Sequence, residues 1–168
     1  MPSPVANALE NPGEREFLRH TLATVAYRGL KAVMGATDEF GAFKPGETSR
    51  SAVEILAHIG DLLQWAIYMD QGEFKWTPHE PQSWTEEVQR FQELLAALDQ
   101  QLSRPSPLSY GVEKLFQGPI ADSLNHVGQL NMMRRLAGQP VRGENYARAN
   151  IRIGHLEPDT TSKRVEFD

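Results

Sequence analysis

The sequence predicts an all-α protein built as an antiparallel four-helix bundle. Three observations carry that expectation. Apolar residues recur at helical spacing in four separate windows, two of those windows open on a Ser-x-x-Glu capping box, and no window alternates convincingly as a half-buried strand would. The helices are expected near 14–35, 51–71, 84–103 and 119–137, in one domain spanning 1–168 that ends in an irregular tail.

Residues 1–13, with three prolines before Gly13, read as a loose arm. The first helix then carries Leu18, Leu22, Val25, Gly29, Ala32 and Val33 on one face, with His20 well off it and therefore solvated. A connection containing Pro45-Gly46 leads to Ser51-x-x-Glu54, where hydroxyl and carboxylate can each pair a free backbone N–H of the second helix. Ile55, Leu62, Trp65, Ala66 and Met69 form that helix's apolar stripe, and His58 lies at its centre. Asp61 and Glu54 flank His58; they either orient its ring or edge the solvated face. Gly72 stops the helix, and a connection with Trp76, Pro78, His79 and Pro81 follows. His79, between two prolines, reads as a loop residue, and Trp76 is suited to covering the mouth of a pocket. Ser83-x-x-Glu86 opens the third helix, in which Val88, Phe91, Leu95, Leu98 and Leu102 step by three and four.

The fourth helix is the unusual one. Pro119 suits a first turn and Gly138 with Pro140 a stop, so the helix is expected over 119–137 after a bridging segment at 104–117 that has room for a short turn of its own. Leu130, Met133, Leu136 and Ala137 share a face on a wheel of about 100° per residue. Asp122, His126 and Gln129 fall on that same face, so the stripe that should enter the core is polar for its first turns. Asp122 and His126, four residues apart, leave the helix about 40° and one turn from each other, close enough to share a ligand. The plain alternative is a core histidine satisfied by its neighbours. Gln129 likewise admits a hydrogen bond to a metal ligand or substrate, or an amide that caps a neighbouring helix. Beyond Gly138 periodicity is lost, and His155 beside Gly154 is a weak candidate for a site residue.

Composition narrows the chemistry. With 40% hydrophobic and 23% charged residues among 168, the chain can bury one sizeable core. A net charge of −5 without a cluster of Lys and Arg argues against nucleic acid, whose phosphates require a basic surface. Cysteine is absent, which excludes disulfides, thiolate ligands and a cysteine nucleophile, so any metal must be held by nitrogen and oxygen. Residues 1–12 lack the basic start and apolar segment of a signal peptide, and no run approaches the roughly 18 apolar residues of a membrane span. A cytoplasmic protein whose partner is a small ligand or another protein is the resulting expectation.

The run Ser51-Ala52-Val53-Glu54-Ile55-Leu56-Ala57-His58-Ile59, taken with Asp122-Ser123-Leu124-Asn125-His126-Val127-Gly128-Gln129, resembles the DinB/YfiT-like superfamily over most of the chain. The resemblance implies a four-helix bundle with a divalent-metal site made by one histidine on the second helix and an H-x-x-x-H pair on the last, commonly followed by R-G-Q. His58 matches the first ligand, His126 the second histidine of the pair, and Gly128-Gln129 the trailing G-Q. Asp122 stands where the pair's first histidine usually is, and Val127 where an arginine is common. Two imidazoles and a carboxylate leave coordination positions open, a set accepted by Fe(II), Zn, Ni and Mn.

Relatives of this family include transferases and isomerases that use low-molecular-weight thiols, and the implied function is that of a metal-dependent enzyme of transferase or hydrolase type, often dimeric. Arg134 and Arg135 could contact an anionic thiol cofactor, but cations at a helix C-terminus are already explained by the macrodipole. The competing expectation is a non-catalytic binding or dimerisation module in which His58, Asp122 and His126 form a metal-free hydrogen-bonded network.

Overall fold

Four long helices dominate the computed structural model, which describes residues 11–158 and 166–167. They are α1 (Pro12–Val33), α3 (Ala52–Asp70), α4 (Trp84–Leu102) and α6 (Ala121–Leu136), with single-turn helices α2 (Asp38–Gly41) and α5 (Val112–Leu115) between them. The protein is all-helical; among the described residues β-type pairing is confined to an isolated bridge between Glu144 and Glu166. No helix of the described residues is long and apolar enough to cross a membrane.

Both capping boxes form as the sequence dictates. Ser51 Oγ accepts from the Glu54 N–H at 3.3 Å while Glu54 Oε2 accepts from the Ser51 N–H at 2.6 Å, and Ser83 with Glu86 repeats the arrangement at the head of α4. Helix α1 starts two residues before its expected position, because Asn11 caps the Gly13 N–H at 3.0 Å and Pro12 takes the first helical position. It ends at Val33, followed by Gly35 with φ of 71°. The single turn α2, capped by Thr37, was not expected.

The fourth helix departs most from expectation. Pro119 does not begin it: helical backbone starts at Val112, runs through α5 and a π-helical turn at Phe116–Ile120, and continues into α6. A proline in an ordinary α-helix loses its N–H bond and presses its ring on the carbonyl four residues earlier. The wider π-turn accommodates Pro119 within the helix, and Ser123 Oγ donates to the Pro119 carbonyl at 2.7 Å. The stretch expected to be a connection at 104–117 is therefore partly helical.

α3 packs on α4 and on α6, and α1 packs on the same two helices, so the four enclose a common core. Leu18, Leu22, Val25, Leu56, Ile59, Leu63, Phe91, Leu95, Leu98 and Leu130 are its fully buried members. Gly29 lets α1 approach α4 closely, since a Cβ there would stand 2.6 Å from Phe91 Cζ. On the far side of α1, buried Lys31 pairs with Glu144, and with Glu166 at 2.9 Å. Together with the edge contact of Tyr146 on Tyr27 and the Arg28 guanidinium 4.3 Å from the Tyr146 ring, this fastens the irregular C-terminal segment to the helices. The part of the expected arm at 1–10 lies outside the described residues, as does 159–165 of the tail.

Candidate metal centre

His58 lies near the middle of α3, and Asp122 and His126 occupy the first two turns of α6. Because α3 and α6 pack side by side, the polar patch of α6 meets the one polar position of the α3 stripe. One ligand atom from each of the three residues lies within 4.8 Å of the others. The imidazole centroids are 4.7 Å apart with planes inclined at 66°, His58 Nε2 is 3.8 Å from Asp122 Oδ2, and His126 Nδ1 is 3.3 Å from Asp122 Oδ1. Ligand bonds of about 2.1 Å around one ion put neighbouring donors roughly 3 to 3.5 Å apart.

The tautomer of His126 follows from a local bond. Its Nδ1 stands 2.8 Å from the main-chain carbonyl of Asp122, and a carbonyl can only accept, so in the neutral ring Nδ1 carries the proton and Nε2 keeps its lone pair. An Nδ1–H held by a carbonyl is the arrangement that orients histidine ligands which bind through Nε2. His126 is only 9% exposed, which limits its other orientations. The His58 imidazolium is disfavoured, first by burial, then by repulsion from His126 and Arg50, with Asp122 and Asp61 opposing; its pKa falls below the usual 6.5. A neutral imidazole is the form that can donate to a metal.

The two histidines border a cleft of about 600 Å³ between α3, α6 and the segment before α3. Gln129, exposed one turn beyond His126, stands on its wall with Met132, Met133 and Leu136, and Arg50 and Ile55 face them. Trp76 meets His58 edge-on, with centroids 5.7 Å apart, and also packs against Trp65 at 5.9 Å, so the 71–83 connection reaches His58.

Other candidates lie elsewhere. Asp61 neither orients His58 nor edges a solvated face: it is buried, accepts from Arg90 at 2.7 Å, and accepts the His79 N–H at 3.1 Å. Glu54 is taken up by the capping box and by Lys44 at 3.5 Å. His20 is exposed, and His79, in its loop, stands 3.3 Å from buried Glu87. His155 borders a different cleft with Gln92 and Glu93. Leu136, expected to be core, is 58% exposed because it faces the open cleft instead of a helix. Arg134 donates to the Gln139 carbonyl at 2.8 Å beyond the end of α6, in keeping with a helix-terminal role. Arg50 and Met132 escaped the sequence reading, since neither belongs to a motif and both reach the cleft only through the fold of residues 45–50 against α6.

Comparisons with protein-family models, with curated proteins and with solved structures gave no match to the chain.

Proposed function

We propose that this chain is a DinB/YfiT-like four-helix bundle that binds one divalent metal through His58, Asp122 and His126 and serves as a metal-dependent enzyme of transferase or hydrolase type. The observation that carries the proposal is the convergence of two imidazoles and a carboxylate, from two helices, to within 4.8 Å at the edge of a cleft. The donor set suits Zn, Ni, Fe(II) or Mn, and three protein ligands leave room for a substrate atom. When bound, such an ion would lower the pKa of a thiol or water delivered from the cleft, supplying a nucleophile near neutral pH to a chain that has no cysteine of its own.

The chain's own residues have separable tasks in this reading. The Asp122 carbonyl fixes the His126 ring, the depressed pKa of His58 keeps that ring neutral, and Trp76 limits water on the His58 side. Gln129 offers an amide to the substrate from the cleft wall. A low-molecular-weight thiol is the co-substrate that the family resemblance suggests.

Geometry weighs against the metal-free network. The 3.8 Å between His58 and Asp122 is beyond a hydrogen bond, so the carboxylate does not bridge the rings, whereas an ion would draw all three inward. Metal content of tag-free protein, followed by melting curves with chelator and with added Zn, Ni, Mn or anaerobic Fe(II), tests the proposal. Binding should raise Tm, by an amount set by concentration over Kd. A melting curve indifferent to every one of these additions, in protein that purifies without metal, overturns it.

A further inference from the structure

The cleft has a chemistry of its own beyond its two histidines. Its lining is largely apolar: Met133 and Ile55 are buried in it, while Met132 and Leu136, each 58% exposed, stand at its rim. Large apolar side chains left half open beside a concave surface mark a binding face more often than a chance of folding. Arg50 lines the same cleft, and among the described residues its guanidinium forms no ion pair. Arg50 precedes the Ser51 cap of α3, and its charge is felt at His58. A volume of about 600 Å³ is that of a small-molecule site.

We propose that this cleft takes a small amphiphilic organic acid, whose carboxylate pairs with Arg50 while its hydrocarbon body lies on Ile55, Met132, Met133 and Leu136. The inference rests on the reading of His58, Asp122 and His126 as a reaction centre only for the role of the bound acid as substrate; the binding itself needs no metal. An apolar body against those four side chains gains from water exclusion, and an arginine fork matches a carboxylate in two parallel hydrogen bonds. A cation would meet Arg50 as a like charge, and a neutral chain would leave the guanidinium without a partner. The site therefore discriminates by charge.

Titration calorimetry with monomeric octanoate, octanol and octyltrimethylammonium, on metal-free and on metal-loaded protein, tests this. In the metal-free protein octanoate should bind at least about tenfold more tightly than octanol, and the cation should not bind. Arg50→Gln should abolish the preference for octanoate over octanol, while the double variant Met132→Ser with Leu136→Ser should weaken both ligands together. These residues are exposed, so the variants should melt near wild type. Methyl-labelled methionine spectra add a second readout, in which octanoate should shift the Met132 and Met133 signals.

Equal affinity for octanoate and octanol, or a preference that survives Arg50→Gln, overturns the proposal. So does a rim double variant that turns a dimer into a monomer without changing octanoate affinity, since a second copy would then cover the face. Sedimentation with phosphatidylglycerol vesicles and no response to monomeric octanoate would assign the surface to a membrane instead, and also overturns it. Octanoate bound by a protein that takes up no metal supports this inference and sinks the metal reading; metal uptake without charge discrimination in the cleft does the reverse.

Discussion

The ring of His126 is held by the backbone of Asp122 and not by its side chain: Nδ1 to the carbonyl is 2.8 Å, whereas the nearer carboxylate oxygen is at 3.3 Å. Any residue at position 122 keeps that carbonyl. The side chain is thus free to change without disturbing the tautomer of its neighbour.

Substitutions at 122 and 126 should accordingly part company. Asp122→His restores the three-imidazole set of the resembling family and should keep metal affinity within about tenfold of wild type. His126→Ala removes a donor, and even partners of a ligand are worth about 10 to 100-fold, so affinity should fall by more than about 100-fold. Competition with a chromophoric chelator measures both. If the carboxylate were instead the centre of a metal-free network, Asp122→His would lower Tm and bind nothing.

The pH dependence of stability has a definite sign at His58. Its folded pKa lies below the 6.5 of an unperturbed ring, through burial first and His126 and Arg50 next. The unfolded chain therefore takes up this proton before the folded one does. Stability linked to His58 is complete above about 6.5 and declines as the pH falls from there through the lowered folded value. Urea midpoints of metal-free protein between pH 7.5 and 5 should fall more steeply for wild type than for His58→Gln, and identical slopes would contradict the assignment.

Trp76 should report the centre optically. It meets His58 edge-on at 5.7 Å, and of the other two tryptophans Trp84 is buried against Phe40. Paramagnetic Ni(II) should quench part of the tryptophan emission, and Trp76→Phe should remove the larger share of that quenching. Trp76 is 46% exposed, so the cost in stability should stay below about 1 kcal/mol.

A fourth expectation concerns the scaffold. Gly29→Ala gains about 1 kcal/mol of helix propensity, yet its Cβ would stand 2.6 Å from Phe91 Cζ and force α1 and α4 apart. Overpacking of this kind costs about 1–3 kcal/mol. Urea unfolding should show a net loss, and a stabilised variant would mean that Phe91 swings away at no cost.

Much of this was legible in the chain, for reasons that differ by residue. Ser51, Glu54, Ser83 and Glu86 act within one helical turn, so their spacing suffices to place two helix starts. The inward placement of His58, Asp122 and His126 followed from the helical period, because two stripes that must both be buried will face each other. Pro119 misled because local preference puts proline at a helix start, whereas here it lies inside a π-turn between the buried Leu115 and Ile120. Asp61 misled in another way. Its partner Arg90 comes from α4, and no pattern within α3 announces a cation arriving from elsewhere. Arg50 reached the cleft by the same kind of long-range placement.

The pairing of Lys31 with Glu144 and Glu166 has a consequence for the order in which the chain assembles. Lys31 is synthesised well ahead of its carboxylates, which follow 113 and 135 residues later. A lysine buried without a counter-charge is costly, so until residue 144 is made the face of α1 that carries it stays wetted. The Leu18, Leu22 and Val25 face can meet α4 and α6 earlier. Docking of the segment that carries Glu144 and Glu166 should therefore come late in folding, as a contact of long sequence separation.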